Sequence, residues 1–377
     1  MELLWLASWY PNKTNPFNGD FIQRHAAAVS GHSRVTVIHV VQDPDDLAAS
    51  SLETVVIPNL TEHIYYYRPS RIPFVSQLRA FLLYVRAIKK YIKTRGAPAF
   101  IHVHVCMNAG LPALWAGKRW KIPYLVTEHF TGYIPGSDGN YYQRSFLYRL
   151  LNKRILQNAE GVHCVSAYLR VCIENITPIR HPIVIPNVVD VTVFKPGPGF
   201  MEPFRFIHVS SFEPFKNVRA LLDAFVLLGG DWELVLVGPA PGDIRAYADT
   251  LPIASRLRWT GALPYTEVAT WMKASDCLVQ FSRYETQGCV ILEAMATGSP
   301  VVSSAVGGVP EIVGAGDGVL VPAGDIQALA GALERVKTDY ETYDRAQIAA
   351  RASRKYGYDT VGRAFADYYA LLDGTDR

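Results

Sequence analysis

A strand-like run, Cys277–Gln280, leads into Ser282-Arg283-Tyr284-Glu285-Thr286-Gln287-Gly288-Cys289-Val290-Ile291-Leu292-Glu293-Ala294-Met295-Ala296. Good helix formers fill Val290 to Ala296. The spacing therefore predicts Glu285 on a strand-to-helix loop and Glu293 about one to two turns into the helix. Gly288 between them lets a ligand approach the backbone closely. The N–H groups near Cys289 and Val290, at a helix start, make a natural seat for phosphate. A carboxylate beside such a seat makes sense if the ligand also carries hydroxyls, because carboxylates accept charge-assisted bonds from sugar or ribose hydroxyls. The alternative is that Glu285 caps the helix and favours its positive end.

These residues need a scaffold, and the rest of the chain supplies its pattern. Short apolar runs alternate with longer stretches of helical period. The first series is Leu3–Ala7, Val35–Val41, Phe100–Val105, Tyr124–Val126 and Gly161–Val165. The second is Arg205–Val209, Glu233–Val237, Leu257–Trp259, Cys277–Gln280 and Pro300–Val302. Such alternation predicts an α/β protein with parallel sheets covered by helices. Lys195-Pro196-Gly197-Pro198-Gly199 reads as a linker. The expected division is residues 1–196, residues 197–355, and a C-terminal helix within 356–377 that packs back on the first domain. In open parallel sheets ligands bind beyond the carboxyl ends of the strands. Two such domains facing each other would make a deep cleft suited to a two-substrate transfer that excludes water.

At 377 residues the chain is long enough for two domains with large cores. A net charge of +3 gives no reason to expect a nucleic-acid partner. The five cysteines, Cys106, Cys164, Cys172, Cys277 and Cys289, form no C-x-x-C pair and read as free thiols in a reducing cytosol. The segment Met1–Ala7 lacks a basic region and reads as a first strand, not a signal peptide. No apolar run reaches the ~20 residues a membrane span needs. The expected location is the cytoplasm, with a peripheral position at the inner face of the membrane weighed below. The pair His102-Val103-His104 could ligate a metal, but no third ligand with suitable local spacing is evident. No metal and no cofactor are expected.

Downstream of Glu293 come Gly298-Ser299-Pro300-Val301-Val302-Ser303 and Gly307-Gly308-Val309-Pro310-Glu311-Ile312-Val313, then Gly318-Val319-Leu320-Val321-Pro322. With Glu285 and Glu293, this whole context resembles the retaining glycosyltransferases of family 4, whose fold is GT-B: two Rossmann-like domains facing across a deep cleft. The resemblance covers nearly the full chain. It implies that Lys216, in Ser211-Phe212-Glu213-Pro214-Phe215-Lys216-Asn217, is the lysine that meets the donor diphosphate. Ser211 stands where the family often has Arg, and Asn217 replaces a usual Gly, so the clamp would hold one cation fewer. Gly238, after Leu234–Val237, and Gly261 match strand-Gly turns that shape the nucleotide pocket. Gly19 is what remains of a Gly-rich loop whose backbone meets the donor phosphates. His129, in Thr127-Glu128-His129, matches a His beside the reacting sugar. Ser166 and Asn187 match positions at N-domain strand ends, and Val188 departs from a usual Gly.

The resemblance implies metal-free, retaining transfer. Lys216, the amides of Gly288, Cys289 and Val290, and the helix dipole would stabilise the leaving diphosphate. Glu285 would hold donor-sugar hydroxyls and Glu293 ribose hydroxyls. The two-carboxylate logic of glycosidases does not carry over. The leaving phosphate itself would accept the acceptor proton.

For the acceptor, residues 63–127 hold eleven Lys or Arg and no Asp or Glu. Val75–Lys93 reads as a helix with one apolar stripe, Leu78, Phe81, Leu82, Val85, Ile88 and Ile92. Arg79, Arg86, Lys90 and Lys93 fall on another face. A basic amphipathic helix can dock on an anionic membrane, and a core-packed helix with a solvated basic face is the alternative. The expected partners are a nucleotide sugar and a glycan or lipid-linked acceptor, in polysaccharide or glycolipid assembly. Two competing readings are a nucleotide-sugar epimerase of similar fold and an inactive sugar-nucleotide-binding protein.

Overall fold

The computed structural model describes residues 1–45, 50–197 and 199–374. The chain divides into one unit of Met1–Val188 with the last helix, and a second of Val189–Gly357. The first unit is built on eight strands: β1 (Glu2–Ala7), β2 (Arg34–Gln42), β3 (Ser50–Ile57), β4 (Leu60–Tyr67), β5 (Phe100–His104), β6 (Tyr124–Glu128), β7 (Gly161–Cys164) and β8 (Ile183–Val184). Their order is β3-β4-β2-β1-β5-β6-β7-β8. Every neighbouring pair is parallel except β3 with β4. Leu3 to Ala7 are fully buried, as a central strand covered by helices on both faces must be.

The sequence pattern did not announce the β3–β4 hairpin. Most of β3 is exposed, so no buried face imposes alternation on it. Its turn is made by Asn59 in the left-handed region.

The last helix, Tyr358–Gly374, lies against the helix Asp20–Ser30. Gly362 makes this approach tight: an added Cβ would overlap the Ala28 carbonyl. Phe365 and Tyr369 from this helix are buried beside Trp5 and His102, and the Tyr369 hydroxyl is hydrogen-bonded to His102 Nδ1 at 2.6 Å.

The second unit has six strands: β9 (Phe204–Val209), β10 (Trp232–Val237), β11 (Leu257–Gly261), β12 (Cys277–Gln280), β13 (Val301–Ser304) and β14 (Gly318–Val321). All pairs are parallel, in the order β11-β10-β9-β12-β13-β14. One face of the sheet buries Phe206, Phe225, Trp232 and Leu333, the other Ile207, Leu278, Leu292 and Met295. Val189 and Phe194 belong to this second core, whereas Ile185 and Val188 belong to the first. The crossing therefore falls after Val188, and the stretch around Lys195–Gly197 lies inside the second unit, not at its border. Pro198 of the proposed linker lies outside the described residues. Among the described residues no helix is long and apolar enough to cross a membrane.

Candidate functional site

In the second unit the strand order reverses at β9, with β10 on one side and β12 on the other. Loops leaving the carboxyl ends of two strands that part in this way leave a crevice for a ligand. Lys216 follows β9 and Glu285 follows β12. Their side chains meet: Lys216 Nζ is 2.6 Å from Glu285 Oε1. The Ser282 hydroxyl donates to the same oxygen at 2.9 Å. The two loops are also joined through the backbone, the Arg283 N–H donating to the Phe215 carbonyl at 2.7 Å. Above that bond the Phe215 and Tyr284 rings stack with centroids 4.8 Å apart. Glu285 is almost wholly buried, so the ion pair is shielded from bulk water.

Asn217 closes the turn Pro214–Lys216 at φ 55, ψ 39 and starts the helix Val218–Val226. Asn tolerates the left-handed region better than most residues, so it can replace a glycine here without changing the path of the loop. Ser211 is exposed and its hydroxyl donates to Glu213 Oε2 at 3.1 Å, adding no charge beside Lys216. Beneath the loop lies His208, which sequence reasoning missed. Its Nδ1 is 2.9 Å from the Val279 carbonyl and its Nε2 is 2.8 Å from Ser210 Oγ. Burial pushes its pKa down to about 4, Lys216 adding to the effect against the bond to Val279.

The helix Cys289–Ala296 begins at Gly288, φ 90 and ψ 80, without a side-chain cap. Glu285 is turned to Lys216 and Ser282 instead of serving as a helix cap. Cys289 and Val290 form the first turn, whose N–H groups carry the positive end of the helix dipole. Glu293 is the fifth residue of that helix and is buried. Two glycines let backbones pass where a side chain would not fit. An added Cβ on Gly307, φ 56, would overlap the Glu285 carbonyl oxygen. One on Gly238, φ 135, would overlap the Ser210 carbonyl oxygen. The arrangement offers a lysine, an uncapped helix start and a carboxylate within one crevice, which suits a ligand that is anionic at one end and hydroxylated at the other.

Gly19 and His129 lie in the first unit. Gly19, φ 67, opens the helix Asp20–Ser30, and an added Cβ there would overlap the Trp9 backbone. His129 follows β6 with its ring 4.6 Å from Phe21 and 5.4 Å from His25. Burial holds its pKa well below the usual range, helped by His25, His163 and His102, while a hydrogen bond with Asn187 works the other way. Its neighbour Glu128 accepts from the Cys106 N–H at 2.7 Å, the Tyr133 O–H at 2.9 Å and the His129 N–H at 3.3 Å. Burial nevertheless pushes Glu128 up to about 7.

Local spacing does not reveal a third ligand beside His104 because the fold brings it from elsewhere in the chain. His104 at the end of β5, His129 after β6 and His25 on the helix Asp20–Ser30 are brought together by the fold, each with a ligating nitrogen within 4.8 Å of the others. His102 is not among them, since its nitrogens bond Tyr369 and Thr127.

The basic helix spans Pro73–Arg95. Arg79, Arg86, Lys90 and Lys93 are exposed. The expected single apolar stripe is split. Val85 and Ile88 are buried, but Leu78 and Leu82 face solvent, together with Ile72 and Phe74 just before them. The first half of this helix overhangs the core that anchors its second half.

Two units, each built on a largely parallel sheet with candidate residues on the loops that leave its strands, define a two-domain α/β architecture. Residues 24–187 match the family described as "Glycosyl transferase 4-like domain", and residues 192–353 match "Glycosyl transferases group 1". The chain is 38% identical over 307 residues to 2-deoxystreptamine N-acetyl-D-glucosaminyltransferase of Streptomyces fradiae, covering 74% of this chain and 72% of that protein. It is 27% identical over 224 residues to alpha-monoglucosyldiacylglycerol synthase of Streptococcus pneumoniae, covering 54% of this chain and 51% of that one, so the match spans about half of that relative. Among solved structures, sucrose-phosphate synthase from Thermosynechococcus elongatus superimposes with a TM-score of 0.80 at 21% identity, with each chain covered at 100%. Anabaena HepE in complex with UDP gives 0.76 at 19% identity over 98% of this chain and 100% of that one. These likenesses share the GT-B fold. The chain belongs to the family 4-type, group 1 glycosyltransferases.

Proposed function

We propose that the chain is a retaining glycosyltransferase that moves a sugar from a nucleoside-diphosphate donor to a glycan or lipid-linked acceptor, in polysaccharide or glycolipid assembly. The meeting of Lys216, Glu285 and Ser282 at the carboxyl ends of β9 and β12, beside the uncapped start of Cys289–Ala296, carries this reading. A diphosphate drawn into the crevice would compete with Glu285 for Lys216. Lys216 and the first-turn amides would then stabilise the charge that grows on the leaving group as the sugar C1–O bond breaks. Glu285, released from the lysine, would accept the sugar hydroxyls, and Glu293 the ribose hydroxyls. Gly238 and Gly19 would let backbone approach the nucleotide and its phosphates. His129, whose ring burial disfavours charging, would stand beside the reacting sugar. No metal is needed for these steps, and the leaving phosphate would take the acceptor proton.

The overhanging half of the helix Pro73–Arg95 favours a peripheral station on anionic membrane, its exposed apolar residues flanked by Arg79 and Arg86. The related diacylglycerol-glucoside synthase accords with a lipid-linked acceptor. Incubation with labelled nucleotide sugars tests the main reading. Transfer or slow hydrolysis is expected, epimer formation would favour an epimerase, and binding alone would favour an inactive relative. Glu285→Ala should abolish transfer in a folded protein; full activity in that variant would overturn the assignment.

A further inference from the structure

We propose that the first unit binds a divalent transition-metal ion of the zinc class through His25, His104 and His129. One ring nitrogen from each lies within 4.8 Å of the other two. All three side chains are more than nine-tenths buried. Both ring nitrogens of His25, both of His104 and Nε2 of His129 lack a hydrogen-bond partner. Each such orphan gives up its bonds to water without replacement, and folded interiors avoid gathering them. The neighbouring buried histidines behave differently. His102 bonds Tyr369 and Thr127, and His163 bonds Thr127 and the Ile185 carbonyl. One nitrogen of each of these three rings lies within 4.8 Å of the other two, and the two satisfied rings are not part of the group.

The surroundings fit a ligated imidazole set. Metal-bound histidines turn their second nitrogen to a carbonyl or another polar group. Asn187 reaches the His129 ring, and the Pro186 carbonyl lies near His25 without the geometry of a hydrogen bond. Tetrahedral zinc takes nitrogen at about 2.0–2.1 Å, so the three nitrogens, within 4.8 Å of one another, would draw together on binding. Three imidazoles and no carboxylate select zinc, cobalt, nickel or copper over magnesium or calcium. Trp5, its ring tilted against His104 with centroids 4.0 Å apart, and Phe21 against His129 wall the pocket with apolar surface. Water or hydroxide takes the fourth position. The ion fixes the ring of His129 and so acts as a positioning device. Its binding does not depend on the transfer reading.

The test uses the full chain, without a polyhistidine tag, stripped by chelator and titrated with Co(II). The expected result is about one cobalt per chain with the strong visible bands of a four-coordinate site, displaced by zinc. His25→Gln and His104→Gln should each lose the bands, while His181→Gln, an exposed histidine paired with Glu160, keeps them. If one trio variant fails to fold, the other carries the same reading. Folded wild type without bands, or bands that persist in a folded trio variant, would overturn the proposal.

Discussion

Lowering the pH should unfold the first unit before the second. Among the described residues the first unit buries His25, His39, His102, His104, His129 and His163, and the second buries only His208. Burial is the largest cause in every case. It puts His25 at about 3, His39, His163 and His208 at about 4, and His102, His104 and His129 well below the usual range. The unfolded chain takes up a proton on each near pH 6.5, whereas the folded chain refuses it until far lower pH. The unfolded state therefore binds more protons below 6.5, and stability falls as pH falls. At about pH 5 each buried histidine costs about 2 kcal/mol, a ceiling set by the unfolded value however low the folded one lies. Six cost about 12 kcal/mol, comparable with the whole stability of a domain. Glu128 opposes them. Raised to about 7 by burial, it favours the folded state as pH falls toward 4.5, by about 3 kcal/mol at pH 5. That offsets fewer than two histidines, so the sign stands. Hydrogen exchange from about pH 7 to about pH 4 reads the two units separately. Protection in β1, β5 and β6 should fail at higher pH than in β9, β10 and β12. Loss in the second unit first, or full protection of both near pH 4, would refute the reasoning.

Two further outcomes follow from the site and the basic helix. Gly307→Ala should strain the backbone by about 1–3 kcal/mol and push Glu285 from Lys216, lowering transfer at least ~10-fold with far-UV circular dichroism unchanged; an unaltered donor KM and kcat would contradict this. Wild type should co-sediment with anionic vesicles at low salt. Replacing Arg79, Arg86, Lys90 and Lys93 by Glu should weaken that binding by about 1000-fold, at roughly 1 kcal/mol per lost basic side chain; absence of wild-type binding would sink the membrane reading.

The features legible in the sequence are those with local causes. Strands buried on both faces announce themselves as apolar runs, and a Gly before good helix formers marks the start of Cys289–Ala296. Features set by distant residues were not legible. The partner of Glu285 comes from another strand end, 69 residues away in sequence. His208 reads as one more strand residue until the fold puts Lys216 over it. The histidine trio draws on a helix and two strand ends, which no short spacing can express. The border after Val188 depends on which core receives Val189 and Phe194, a question of packing and not of Pro and Gly content.

The return of Tyr358–Gly374 to the first unit also has a consequence for biosynthesis. A ribosome releases Met1–Val188 long before it releases Phe365 and Tyr369, which fill the interior around Trp5 and His102. The second unit is complete once Gly357 emerges. The half made first must therefore finish last, waiting with an open flank while its younger neighbour closes. A nascent chain arrested just before Tyr358 would expose that flank to chaperones and proteases, even though every described strand had already been made.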